Sequence, residues 1–171
     1  MNAPQEPSSD STQDANRATS AEPNLQTSTP TPNPVPTTPY EQLGGERRLR
    51  AVTTRFYALM DSKPQYQELR AAHGAELTRA EERLFWFLSG WLGGPSLYIE
   101  KVGHPMLRAR HMPFSIGEIE RDQWVTCMYE AMMVEGVDEK TRDDLAPHFY
   151  KTADWMRNRA ETSGIQDAKE G

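Results

Sequence analysis

Gly103-His-Pro-Met-Leu-Arg-Ala-Arg-His111-Met-Pro-Phe114, followed thirteen residues after His111 by Trp124 in the run Glu120-Arg-Asp-Gln-Trp-Val-Thr-Cys127, is the part of this chain that decides its fold and chemistry. It offers one well-placed metal ligand, His111. A haem needs a single strong protein ligand, normally a neutral imidazole, and leaves its opposite face open for a gas molecule. Zinc needs three or four ligands gathered in space, some of them usually at short spacing. The four histidines (His73, His104, His111, His148) form no HxxxH or HExxH pair and Cys127 stands alone, which argues against a dedicated zinc site. On the residues alone, His111 reads equally well as a surface histidine at a helix end, where a cation is favourable beside the last carbonyls. Trp124 reads equally well as core.

Outward from this stretch the apolar spacing is helical. Leu49, Val52, Phe56 and Leu59 recur at three and four residues and predict a helix over about 45–61. Pro64 can open a short second helix that fades near His73-Gly74. Thr78-Arg-Ala-Glu81 has the form of a capping box, and the stripe Leu84, Phe87, Leu88 and Trp91 behind it ends at Gly93-Gly94-Pro95. Ser115-Ile-Gly-Glu118 repeats that form ahead of a stripe of Ile119, Gln123, Trp124, Cys127, Met128 and Ala131. Asp138 or Thr141 then starts a last helix carrying Leu145, Phe149, Thr152 and Met156. About twenty residues rich in Gly and Pro separate the third and fourth helices, long enough for a loop to invite a functional explanation. No segment alternates apolar and polar residues, so the fold class is all-α.

Composition sets the outer limits. Residues 1–39 hold eight of the thirteen prolines, twelve Ser or Thr and no aromatic residue, so they bury too little apolar surface to offset the entropy of ordering. They read as a disordered tail; an adaptor role for it has no motif behind it. Residues 40–160 are the expected domain, and 161–171 a flexible C-terminal tail. Of the formal net charge of −6, half falls in the first 39 residues, and no basic face suggests a nucleic-acid partner. A single cysteine excludes an internal disulfide and fits a reducing, cytoplasmic setting. No signal sequence and no run of about eighteen apolar residues is present, so no membrane partner is expected.

Gly103-His-Pro-x-Leu-Arg-x-Arg-His111-x-Pro-Phe114, with Ala80-Glu-Glu-Arg-Leu84, Trp91-Leu-Gly-Gly-Pro95 and Ile119-Glu-Arg-Asp-x-Trp124, closely resembles the group II truncated haemoglobins. Four motifs in the right order make the match specific. The resemblance implies a two-over-two helical sandwich around haem b, with a shortened first helix, a largely looped region before the proximal histidine, and Gly-Gly pairs such as Gly44-Gly45 and Gly93-Gly94. It places His111 at the iron-binding position, its other ring nitrogen donating to a backbone carbonyl. It makes Trp124 and Tyr57 donors to a bound ligand. His73 matches a more variable distal position, and Ala80 falls where many globins carry a distal histidine. Leu84, Phe87 and Leu88 would wall the porphyrin, while Arg83, Arg110 and Tyr98 would meet its propionates. His104, His148 and Cys127 receive no role, although a partly exposed Cys127 thiol near the haem edge could be redox-active.

The function implied by the resemblance is reversible binding of dioxygen and other diatomic gases, such as NO and CO, at a pentacoordinate iron. A tightly held ligand suits scavenging or redox chemistry better than bulk oxygen transport. The alternative is a haem enzyme of the same fold, oxidising nitric oxide or reducing peroxide. With no Gly-x-Gly-x-x-Gly motif for a nicotinamide or flavin, it would need an external reductase. A cofactor-free helical interaction module carries least weight. The chain is expected to be a monomer or homodimer.

Overall fold

The described part of the chain, residues 38–160 of a computed structural model, begins with a helix cap. Thr38 Oγ1 accepts the Glu41 N–H at 3.2 Å and Glu41 Oε2 accepts the Thr38 N–H at 3.1 Å, a reciprocal capping box that opens α1, Pro39–Leu43. Thr38 and Pro39 therefore belong to the domain, two residues earlier than the sequence boundary at 40. The remainder of the predicted N-terminal tail, and the predicted tail 161–171, lie outside the described residues. Gly44 (φ 111°) and Gly45 (φ 68°) are both left-handed, a conformation glycine adopts without Cβ strain, and they turn the chain from α1 into α2, Gly45–Ser62.

Pro64–Tyr66 forms a 3-10 turn that runs into α3, Gln67–Ala72, and the long helices α4, α7 and α8 span Leu77–Trp91, Glu118–Val134 and Glu139–Met156. α2 packs on α4 and α7, and α7 packs on α8. The result is the expected all-α, two-over-two arrangement, with no strand among the described residues. Leu49, Val52 and Phe56 of α2, Phe85 and Leu88 of α4, and Cys127, Met128 and Met132 of α7 are buried together. Phe56 is fully inaccessible, and its ring meets Tyr57 at 5.1 Å and Trp124 at 5.5 Å between centroids. Phe56→Ala is expected to cost about 3–5 kcal/mol of stability, read as a lower urea midpoint, because this junction of α2 with α7 cannot close around the void.

Two predicted caps are built differently. α4 starts at Leu77, and Thr78 makes no capping bond. Glu81 instead accepts from Thr54 Oγ1 at 2.6 Å, so the tertiary contact with α2 takes the carboxylate a capping box would use. At α7 the cap lies two residues after Ser115: the Gly117 N–H donates to Glu120 Oε2 at 2.8 Å. That register buries Glu120 and Arg121 and turns Ile119, expected on the apolar stripe, out to 54% exposure. Asp138, by contrast, caps α8 as predicted, accepting the Thr141 N–H at 2.9 Å.

The predicted long loop between the third and fourth helices contains two short helices, α5 at Leu97–Val102 and α6 at Leu107–His111. Tyr40 of α1 is laid across the turn that precedes them. Its N–H donates to Leu92 O at 2.9 Å, and a Cβ at Gly94 would sit 2.6 Å from ring carbons of Tyr40. Gly94→Ala is expected to lower the melting temperature by displacing the Tyr40 ring, and Tyr40→Ala should make the alanine at 94 tolerable in the double variant.

Candidate functional site

Helix α4 presents one face to a cavity of about 410 Å³. Ala80, Leu84, Phe87, Leu88 and Trp91 recur at three and four residues, so they line it as a single stripe. Phe149 and Met156 of α8 complete the apolar wall, with Phe149 stacked on Trp91 at 5.2 Å and edge-on to Trp124 at 5.7 Å. Every residue singled out from the sequence lines this one cavity: His111, Arg83, Arg110, Tyr98, Leu84, Phe87, Leu88, Tyr57, Trp124, His73 and Ala80. Its size and largely apolar lining suit an organic ligand rather than a bare ion, and no cluster of three or more metal-ligating side chains exists among the described residues.

His111 is the last residue of α6. Its Nδ1 lies 2.7 Å from Leu107 O, one turn back, which fixes Nδ1 as the protonated nitrogen of the neutral ring. Nε2 is then a lone pair with no protein partner among the described residues, on a residue that lines the cavity. Such an imidazole is ready to bind a metal.

Tyr57, His73 and Trp124 reach the same space from α2, the end of α3 and α7. The Tyr57 and His73 rings meet edge to face at 5.8 Å. Neither the Tyr57 hydroxyl nor the Trp124 indole N–H has a hydrogen-bond partner among the described residues, although Tyr57 is only 7% exposed. Burial, and secondarily the Glu81 carboxylate, raises the Tyr57 hydroxyl well above the ordinary phenol range, so it stays a proton donor. Both donors face the cavity and can donate to an acceptor held inside it.

His73 Nδ1 is 2.8 Å from Leu69 O. Burial first, then the nearby Arg70 and His111, lower its pKa below the usual histidine value, against the opposing pull of the Leu69 carbonyl. A histidine depressed on folding binds its proton more readily in the unfolded chain. Stability is therefore intact above about pH 6.5, the ordinary histidine value, and falls as the pH drops from there toward the lower folded value. The wild-type urea midpoint should decline over that range more steeply than that of His73→Phe, and the His73 ring proton seen by NMR should titrate below pH 6.5.

At the rim, Arg83 has no partner among the described residues, whereas Arg110 Nε donates to Pro105 O at 2.9 Å and its guanidinium lies 6.0 Å from the Tyr98 ring centre. Arg79, one turn before Arg83 on α4, also lines the cavity and was not anticipated. The i, i+4 spacing of the two arginines was the signal for it. Thr152, read in the sequence as part of the last helix's stripe, lines it as well, as do Ala153 and Ile116, which had no mark in the sequence. Cys127 is not the partly exposed thiol expected: it is fully buried, burial chiefly pushes its pKa up to about 12, and its Sγ lies 3.4 Å from Phe56 O. It is a core residue. His104 and His148 are exposed and away from the cavity.

Residues 38–158 match the family of bacterial-like globins. The chain is similar to the group 2 truncated hemoglobin YjbI of Bacillus subtilis (strain 168), 40% identical over 123 residues that cover 72% of this chain and 90% of that protein. Among solved structures it resembles the group II 2-on-2 hemoglobin of Agrobacterium tumefaciens, with a TM-score of 0.70 and 42% identity over 73% of this chain and 97% of that one. The cold-adapted truncated hemoglobin of Pseudoalteromonas haloplanktis TAC125 is similar to the same degree, with a TM-score of 0.69 and 44% identity over 72% of this chain and all of that one. With four long helices stacked two over two around a largely apolar cavity, the chain belongs to the bacterial-like globins, as a group II truncated haemoglobin.

Proposed function

We propose that this globin holds haem b through His111 Nε2 and binds dioxygen, with other diatomic gases such as nitric oxide and carbon monoxide, against Tyr57, Trp124 and His73. The observation that carries the reading is the inventory of one cavity. It has an imidazole nitrogen fixed from behind by Leu107 O, and two donors facing the cavity, the Tyr57 hydroxyl and the Trp124 indole, that have no protein acceptor among the described residues.

The residues fit the group. Leu84, Phe87, Leu88, Trp91 and Phe149 offer apolar surface for a porphyrin and keep water from it. Arg83 and Arg79, without partners among the described residues, and Arg110 beside Tyr98 offer cations for two carboxylates. When bound, haem supplies a ferrous iron with one coordination position open to a gas molecule. Tyr57 and Trp124 supply hydrogen bonds to an acceptor that draws negative charge, and Ala80, with only a methyl group, neither donates nor obstructs. A pair of donors on one ligand favours its slow release, which suits retention or redox use of the gas more than bulk oxygen delivery.

The test is an absorption spectrum of the purified protein in its ferric, dithionite-reduced and carbon monoxide forms. A Soret band that sharpens and shifts when carbon monoxide is added to the reduced protein is the expected result. A chain that stays colourless after incubation with haemin would overturn the reading.

A further inference from the structure

Helix α6 spans five residues and buries none of them, so neither helix propagation nor apolar packing of its own holds the backbone that carries His111. Its packing partner is α8. Beyond Met156 the chain turns back across α6, and Asn158 makes the closest set of contacts there. Asn158 Nδ2 donates to His111 O at 3.1 Å and to Phe114 O at 2.7 Å. Its Oδ1 accepts the Ile116 N–H at 3.0 Å, and its own N–H donates back to Ile116 O at 3.0 Å. One carboxamide therefore bridges three backbone groups within six residues.

The bridge is reinforced on both sides. Arg108 Nη1, from within α6, donates to the carbonyls of Trp155 and, at 3.2 Å, Arg157. The Arg159 N–H joins Ile116 O at 3.1 Å, while its guanidinium donates to Glu120 Oε2 at 3.0 Å, the carboxylate that caps α7. That guanidinium lies flat on Gly117, where a Cβ would come within 2.4 Å of Nη2.

We propose that Asn158 is a positioning residue for the metal ligand: its carboxamide holds the His111 and Phe114 carbonyls, and through them the direction in which the imidazole presents Nε2. The inference rests on the reading of His111 as the iron ligand. Only a primary amide offers two donors and an acceptor in one plane at this reach. An aspartate at 158 keeps the size and still accepts from Ile116, but it has no proton for the two carbonyls and sets its charge against them. The His111 and Phe114 carbonyls then lose their donor, and the backbone that carries the imidazole is no longer tied to the segment after α8 through this side chain.

The experiment compares wild type, Asn158→Asp and Asn158→Ala with Thr38→Ala, which removes the α1 cap and serves as a control for general loss of stability. Resonance Raman spectroscopy of the ferrous, ligand-free proteins reads the iron–histidine stretch, and transfer to an apo-globin acceptor reads haemin loss. Both Asn158 variants should shift and broaden the stretch and lose haemin roughly tenfold faster, the order expected for one to two net hydrogen bonds. Thr38→Ala should leave the stretch where it is. Asn158 variants with a wild-type stretch and wild-type haemin loss would overturn the positioning role while leaving His111 as the ligand. A wild-type protein with haem but no iron–histidine stretch would overturn the ligation itself, and the inference with it.

Discussion

His111→Ala is expected to yield a folded helical protein that does not retain haemin through a desalting column, whereas wild type emerges with its Soret band intact. The other features of the cavity, its apolar walls and rim arginines, would bind a porphyrin by area and charge but would give its iron no bond. Removing the imidazole also leaves Leu107 O without the donor it has at 2.7 Å. Free imidazole added at millimolar concentration should return part of the band, since the space left by the deleted ring can admit it. A His111→Ala protein with wild-type haemin retention and an unaltered iron–histidine stretch would show that another group holds the iron.

The second large effect belongs to Trp124. Replacing it by phenylalanine keeps an aromatic ring against Phe56 and Phe149, with which the indole now packs at 5.5 Å and 5.7 Å, and removes the N–H donor together with the volume of the second ring. A hydrogen bond to a charged acceptor is worth about 1.5–3 kcal/mol. Dioxygen dissociation should accordingly quicken about tenfold to a hundredfold, at about 1.4 kcal/mol per decade, with little change in the rate of association. Tyr57→Phe should act in the same direction. Because both donors meet one acceptor, the double variant should fall short of the product of the two effects. Stopped-flow displacement of dioxygen by carbon monoxide measures this, and an unchanged off-rate in Trp124→Phe removes the indole from the ligand's surroundings.

What the sequence made legible were periodic features. The α4 stripe from Ala80 to Trp91 and the α2 stripe from Leu49 to Leu59 are repeated statements of one helical face, and each repeat lowers the ambiguity. The capping motifs at Thr78 and Ser115 were single statements, and distant groups overruled them. Thr54 engages Glu81 from another helix, and Glu120 takes both the Gly117 N–H and Arg159 from beyond α8. Helices as short as α5 and α6 carry less than two turns of pattern, and α6 is capped by Met106, a non-glycine residue in the left-handed region (φ 43°) that no propensity would suggest. Asn158 was invisible for a different reason: an asparagine just past a helix end looks like any other polar residue until the chain segment it bridges is brought alongside.

The same limits explain the site. His111, Tyr57 and Trp124 came from a resemblance that named positions, and the fold brings them to one cavity. The chemistry of each depends on surroundings the sequence does not display, such as Leu107 O behind the imidazole or the lack, among the described residues, of an acceptor for the Tyr57 hydroxyl.

The cavity has one further consequence. It lies where side chains of α4, α7 and α8 would otherwise interlock, and a void costs about 24 cal/mol per Å³ when its walls cannot relax. For about 410 Å³ that is comparable to the whole stability of a small domain, about 5–15 kcal/mol, before any relaxation or filling by water. A chain lacking its prosthetic group would relieve that strain by collapse, beginning with the shallow, unburied α6. An occupant there would be an internal structural member whose binding adds to the stability of the helices already folded, and the share of native protein a cell keeps would rise with its haem supply.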